Sequence, residues 1–185
     1  MALIGPTEAS TAAALLAMLA DYFAAVGVAD VEVIQAQQPT QQGQYTGDAL
    51  YFQRLHERRY GWPQRLDVFD QASLTFVHGE STQYEVTYQF NAYIAPPQNG
   101  EIPARTPADI LRVASMAFQS DRGMAPLRAA GLGVLRVTDL RLSYATNEQG
   151  QFEPEPSFDV TMTYRNTLTD QVGLVTETEL NIFRV

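Results

Sequence analysis

The sequence predicts an α+β fold, an antiparallel β-sheet with two main helices packed on one face. Two helix patterns carry their own start and stop signals. A ten-residue segment, Tyr84 to Tyr93, alternates between apolar and polar residues as far as Ala92. Three more strand candidates follow the second helix. A long strand with one polar face belongs to an antiparallel sheet, and helices segregated from strands give the α+β class.

The first helix is announced by Pro6-Thr7-Glu8, with Thr7 or Ser10 as N-cap. Leu15, Leu19, Tyr22, Phe23 and Val26 recur at helical spacing, and Gly27 stands where a left-handed C-cap is needed. Val31 to Ile34 reads as a short strand. The Gln-rich stretch from Gln35 to Gly47, with Pro39 and Gly43, predicts an exposed polar loop. Leu50 to Arg59 is a strand of imperfect alternation. Tyr60-Gly-Trp-Pro-Gln64 breaks it, and Leu66 to Val77 resumes extended structure.

In the clearest strand, Tyr84, Val86, Tyr88, Phe90 and Ala92 point one way, and Glu85, Thr87, Gln89 and Asn91 the other. Ala95-Pro-Pro-Gln-Asn-Gly100 ends it. Thr106-Pro-Ala-Asp109 then starts a helix, with Thr as N-cap, Pro at the first helical position and Asp at the third. Ile110, Ala114, Ala117 and Phe118 mark its buried stripe. A short helical piece, Met124 to Ala130, stops at Gly131.

The last third is β-rich. Leu135 to Tyr144 shifts apolar phase, which places a bulge or break near Asp139. Phe158, Val160, Met162 and Tyr164 alternate cleanly, and Leu174 to Val185 is a final strand with Leu180 and Ile182 inward. Glu153-Pro-Glu-Pro156 and Thr169-Asp-Gln-Val-Gly173 read as connections. The expected organisation is one α+β domain over residues 1–185, with the polar loop near 35–47 and an excursion near 57–65.

Composition excludes much chemistry. The chain has 185 residues, no Cys and no Lys; all twelve basic residues are Arg, and His56 and His78 are the only histidines. Thiol nucleophiles, lysine Schiff bases, P-loop phosphate capture and Cys-based metal sites are therefore ruled out. A net charge of −9 argues against sequence reading of nucleic acid. No apolar run approaches the roughly 20 residues that span a bilayer. The opening residues lack a basic leader, so a soluble, intracellularly made protein is expected. Charge is uneven. Four arginines lie between Arg54 and Arg65 against Glu57 alone, whereas from Thr146 to Val185 seven carboxylates face Arg165 and Arg184. Such asymmetry suits head-to-tail contact between copies, although solvated faces produce it as often.

The candidate sites are few. His56 and Glu57 are strand neighbours and point to opposite faces, so they do not converge as an acid/base pair. His78-Gly79-Glu80 reads as a hairpin turn without further metal ligands nearby in sequence. Glu153 and Glu155 read as a stiff solvated loop. Gly131-Leu-Gly133 follows a helix and precedes a strand, the reverse of a dinucleotide-binding turn. Arg58-Arg59-Tyr60-Gly61-Trp62-Pro63 joins two cations and two large aromatics, the residue types that dominate protein–protein hot spots. Either it is an interface, or Trp62 anchors a loop to the core.

From Leu74 onward, the order of features resembles the phage neck or tail terminator family of tail-completion, gateway-type proteins. Four segments carry the resemblance: Tyr84-Glu-Val-Thr-Tyr-Gln-Phe90; Leu127-Arg-Ala-Ala-Gly-Leu132; Val137-Thr-Asp-Leu140 leading to Phe158-Asp-Val-Thr-Met-Thr-Tyr164; and Asp170-Gln-Val-Gly-Leu-Val-Thr-Glu177. The resemblance implies a structural virion protein assembled in the host cytoplasm. It implies a homo-oligomeric ring of six subunits at the neck, joining tail tube to connector or collar proteins. DNA passes through the lumen of such a ring without sequence-specific binding. No enzyme activity, cofactor, metal or membrane partner is implied. On this reading Arg58, Arg59, Tyr60 and Trp62 of one copy and Glu177 and Glu179 of the next form the subunit interface. The alternatives are a head-completion or connector adaptor of different symmetry, and a small enzyme or ligand-binding α+β domain using His56 and carboxylates.

Overall fold

A computed structural model describes residues 2–36, 46–95, 104–146 and 152–173. In chain order the elements are β1 (Ala2–Ile4), α1 (Glu8–Ala25), β2 (Glu32–Gln35), β3 (Ala49–Asp70), β4 (Thr75–Tyr93), α2 (Pro107–Ala117), α3 (Asp121–Ala129), β5 (Leu132–Val137), β6 (Tyr144–Thr146), β7 (Phe152–Pro154) and β8 (Ser157–Gly173). Six strands form one sheet in the order β1-β8-β4-β3-β2, with β5 also on β8; β6 and β7 make a small separate pair.

The helices form where their caps predict. Thr7 caps α1 in a reciprocal capping box with Ser10, and Thr106 does the same for α2 with Asp109, with Pro107 opening the helix. Gly27 and Gly131 take φ of +82° and +77° after α1 and α3, conformations that cost an L side chain and suit glycine. Ser120 caps α3, so that helix begins before Met124. Val26, expected on the buried stripe, is the exposed C-cap of α1.

Leu15, Leu19, Tyr22 and Phe23 of α1 are buried with Ile110, Leu111, Ala114, Ala117 and Phe118 of and after α2, against one face of the sheet. Val86, Tyr88 and Phe90 of β4 meet Phe158, Val160 and Met162 of β8 there. Aromatic rings fill the centre. Phe90 stacks on Phe158 at 5.0 Å between centroids, tilts against Phe118 at 5.2 Å and stacks on Phe52 at 5.9 Å.

Several elements differ from the sequence reading. β2 runs parallel to β3, pairing Glu32–Gln35 with Ala49–Phe52, so the sheet is antiparallel except at this edge. The thirteen residues from Ala36 to Asp48 are long enough for the return that a parallel pair requires. β3 does not break at Tyr60–Gln64; it bulges and continues to Asp70. The turn falls at residues 71–74, where Asp70 accepts hydrogen bonds from the Ala72 N–H (3.0 Å) and the Ser73 hydroxyl (2.7 Å). His78-Gly79-Glu80 is therefore strand, not turn.

Thr169 to Gly173 is not a connection, because β8 continues through it alongside β4. β5 shifts register at Leu135 and ends at Val137, earlier than the expected break at Asp139. The expected connection Glu153-Pro-Glu-Pro156 is partly strand, because β7 (Phe152–Pro154) takes its first two residues. Most of the predicted polar loop (37–45), the final strand and the inward placement of Leu180 and Ile182 lie outside the described residues.

Candidate subunit interface

β3 and β4 outrun the helices. Past Tyr84, the second half of the β3–β4 hairpin and the matching half of β8 project as a three-stranded antiparallel arm, with β1 along part of the β8 edge. Two bulges shape its edge strand. At the base, Leu55 is an extra residue between the Arg54–Tyr88 and His56–Thr87 pairs. Further out, Gly61, Trp62 and Pro63 face the single residue Thr82. Gly61 supplies the φ of +72° that this bulge needs, and Pro63 has no N–H to leave unpaired.

The arm is anchored by polar contacts at its base. On the helix side, Arg54 bridges Glu8 and Glu57, each at 2.7 Å, and Glu57 accepts a hydrogen bond from the Tyr164 hydroxyl. Burial pushes the Tyr88 phenol up to about 12. Burial, then the Glu57 carboxylate, also raises Tyr164. Both phenols stay neutral, and the Tyr164 hydroxyl serves as a donor to Glu57, not as a base. On the opposite face, Arg58 pairs with the buried Glu85 (Nε to Oε2 2.7 Å), while His56 Nε2 lies 3.4 Å from the Thr87 hydroxyl. His56 and Glu57 thus end on opposite faces of β3. Among the described residues, no group of three or more His, Asp or Glu is placed to hold a metal.

Beyond the second bulge the two faces differ. On the helix side, Arg65 pairs with Glu80 (3.0 Å), and His78 Nδ1 meets Asp67 at 2.5 Å, next to Asp170 on β8. The other face is an open groove of about 620 Å³, lined by Leu66, Val68, Val77, Gly79, Ser81 and Thr167. Nothing described covers either face. Leu66, Val68, Phe69, Leu74, Phe76 and Val172 are all exposed large hydrophobics on this arm. Apolar surface gathered on one projection marks a contact surface.

The hydrogen bond to Asp67, followed by smaller contributions from Asp67 and Glu80, raises the His78 pKa. The folded arm therefore favours the protonated ring. Its stabilising contribution is complete below the ordinary value of about 6.5 and fades as pH rises through the folded value. An NMR titration of the His78 ring is expected to show a midpoint above that ordinary value, and Asp67→Asn is expected to lower it. An unchanged midpoint in Asp67→Asn means that Asp67 does not hold the proton.

Arg58, Arg59, Tyr60 and Trp62 all lie on the arm's edge strand, with Arg58 and Tyr60 on the face of Glu85 and Gln83 and Arg59 on the face of Tyr84. Trp62 is 88% exposed and Tyr60 56%, so Trp62 does not anchor a loop to the core. Trp62→Ala is accordingly expected to change unfolding free energy by less than about 0.5 kcal/mol, as for other surface substitutions; a larger loss in urea unfolding shows a packing role. Arg58 is committed to Glu85. Among the described residues, no hydrogen bond or ion pair engages Arg59. Glu177 and Glu179 lie outside the described residues. Leu66 and Val68 belong to the same surface and escape sequence reading, because an alternating exposed strand and an alternating half-buried one look alike.

A compact α+β body with a long uncovered β-arm defines a subunit built to contact other protein. The family model for the E217 gateway protein gp29 matches residues 11–174. The chain belongs to that family and is a bacteriophage gateway structural protein. No curated protein matches the sequence. No helix among the described residues is long and apolar enough to cross a membrane.

Proposed function

We propose that copies of this chain close into a ring, of six subunits, at the neck of the virion. The ring joins the tail tube to the connector or collar proteins and surrounds the DNA channel. The chain assembles in the host cytoplasm as one α+β domain and acts by binding, without chemistry. The observation that carries this reading is the uncovered arm, whose edge presents Trp62 to solvent. Closed rings need heterologous contacts between two different patches of one subunit. Here Arg59, Tyr60 and Trp62, with Arg58 beside them, meet Glu177 and Glu179 of the next copy. The charge of −9 supports a lumen that DNA traverses without adhesion, since each Arg neutralising a phosphate adds retention.

Native mass spectrometry of the purified chain, with electron microscopy of tails and virions, tests this. Rings of six at the tube's end are the expected result. A chain that is monomeric at high concentration and absent from tail tubes overturns the proposal. A twelvefold average identifies a connector adaptor instead.

A further inference from the structure

A second feature of the arm stands apart from the ring contact. β2 pairs with β3 only as far as Phe52, so the outer edge of β3 from Arg54 to Asp70 has no strand beside it among the described residues. Long open edges invite strand addition, and folded proteins blunt them with bulges, proline or charge. Up to Pro63 this edge carries such devices: the bulges at Leu55 and Gly61–Pro63, the proline itself and the arginines. From Gln64 to Asp70 there is no bulge, proline or glycine, and Leu66 is 66% exposed.

We infer that this open stretch, Gln64–Asp70, pairs antiparallel with the same stretch of a second copy, making a two-fold dimer of free subunits centred on Leu66. The sequence there is its own complement. Residues directly opposite in an antiparallel pair share a face. Centring on Leu66 sets Arg65 opposite Asp67 of the second copy and Asp67 opposite its Arg65, on the charged helix-side face. Leu66 meets Leu66, and Gln64 meets Val68, on the groove face. Arg65 already holds Glu80, and Asp67 holds His78, on the β4 side. Five guanidinium donors and two carboxylate oxygens allow each to serve both neighbours. The bulge Gly61–Pro63 then comes beside Phe69 and Asp70 of the other copy. A centre at Asp67 sets two carboxylates face to face, and a centre at Val68 removes both ion pairs. The dimer covers the aggregation-prone edge before assembly.

The absence of cysteine makes the test clean. Opposed residues lie about 4.5–5.5 Å apart between Cα atoms, within disulfide reach. Leu66→Cys is expected to form a covalent dimer on mild oxidation, whereas Ser73→Cys at the turn is not. By sedimentation, Arg65→Asp and Asp67→Arg are each expected to weaken dimerisation about tenfold, because symmetry counts each change twice. Mixing the two single variants is expected to restore it as a heterodimer, because positions 65 and 67 are then both acidic in the R65D copy and both basic in the D67R copy that faces it, which misfolded arms do not do. A wild-type chain that is monomeric at all concentrations, a Leu66→Cys chain that stays uncrosslinked, or a mixture no better than the singles overturns the inference. Rings on virions with monomeric free subunits overturn this dimer and leave the ring standing; a dimer without rings does the reverse.

Discussion

Phe90→Ala is expected to cost about 3–5 kcal/mol of unfolding free energy, the range for truncating a fully buried Phe in a core. Phe90 has no exposed surface and touches three other rings, Phe52, Phe118 and Phe158, contributed by β3, the end of α2 and β8. Removing it takes the common neighbour from a cluster that joins sheet to helices. The surrounding strands are held by pairing on both sides, so the void cannot collapse. In thermal unfolding the midpoint is expected to fall by roughly 10 °C for a chain of this size. Phe69→Ala is the matched control. Phe69 tilts against one ring, Phe76, at 5.2 Å, and is 45% exposed on the arm. Its loss is expected to move the midpoint by less than a third as much. Equal losses at the two positions show that the arm is packed as tightly as the body.

That contrast between body and arm was only half legible in the sequence. The helices were readable because their signals are local: Thr7, Thr106 and Pro107 act within one turn, and Gly27 and Gly131 end helices by backbone conformation alone. Tyr84 to Tyr93 was readable because apolar and polar residue types alternate along it, although Glu85 and Thr87 on the polar face are buried as well. The arm was not. Gly61 and Pro63 are breakers in isolation, but on an edge strand they sit in a bulge whose outer side has no ladder to lose. Thr169-Asp-Gln-Val-Gly173 has turn composition, yet pairing with Thr75–Gly79 extends it, a tertiary override of propensity. The segment Arg58 to Trp62 stood out by composition. Its division of labour did not, because the register that sets Arg58 opposite Glu85 links positions 27 residues apart.

That division predicts opposite behaviour from two adjacent arginines. Arg59→Glu is expected to leave the subunit folded and abolish ring assembly, because Arg59 is exposed, has no described partner and sits beside Tyr60 and Trp62 on the proposed contact. Arg58→Glu is expected to damage the fold first. Glu85 is 6% exposed and is held by Arg58 at 2.7 Å, so reversal strands a buried carboxylate beside a second one. The Arg58 side chain is 68% exposed, and solvent screening brings the expected cost to about 1–3 kcal/mol, below the full buried-pair value. Adding Glu85→Arg to Arg58→Glu is not expected to rescue stability fully, since the longer guanidinium must fit the space of a carboxylate. Chemical unfolding and particle counting on the same two single variants separate the roles. Loss of stability without loss of assembly in Arg59→Glu means that the contact lies elsewhere on the arm. Full stability in Arg58→Glu means that Glu85 finds another partner or reaches water.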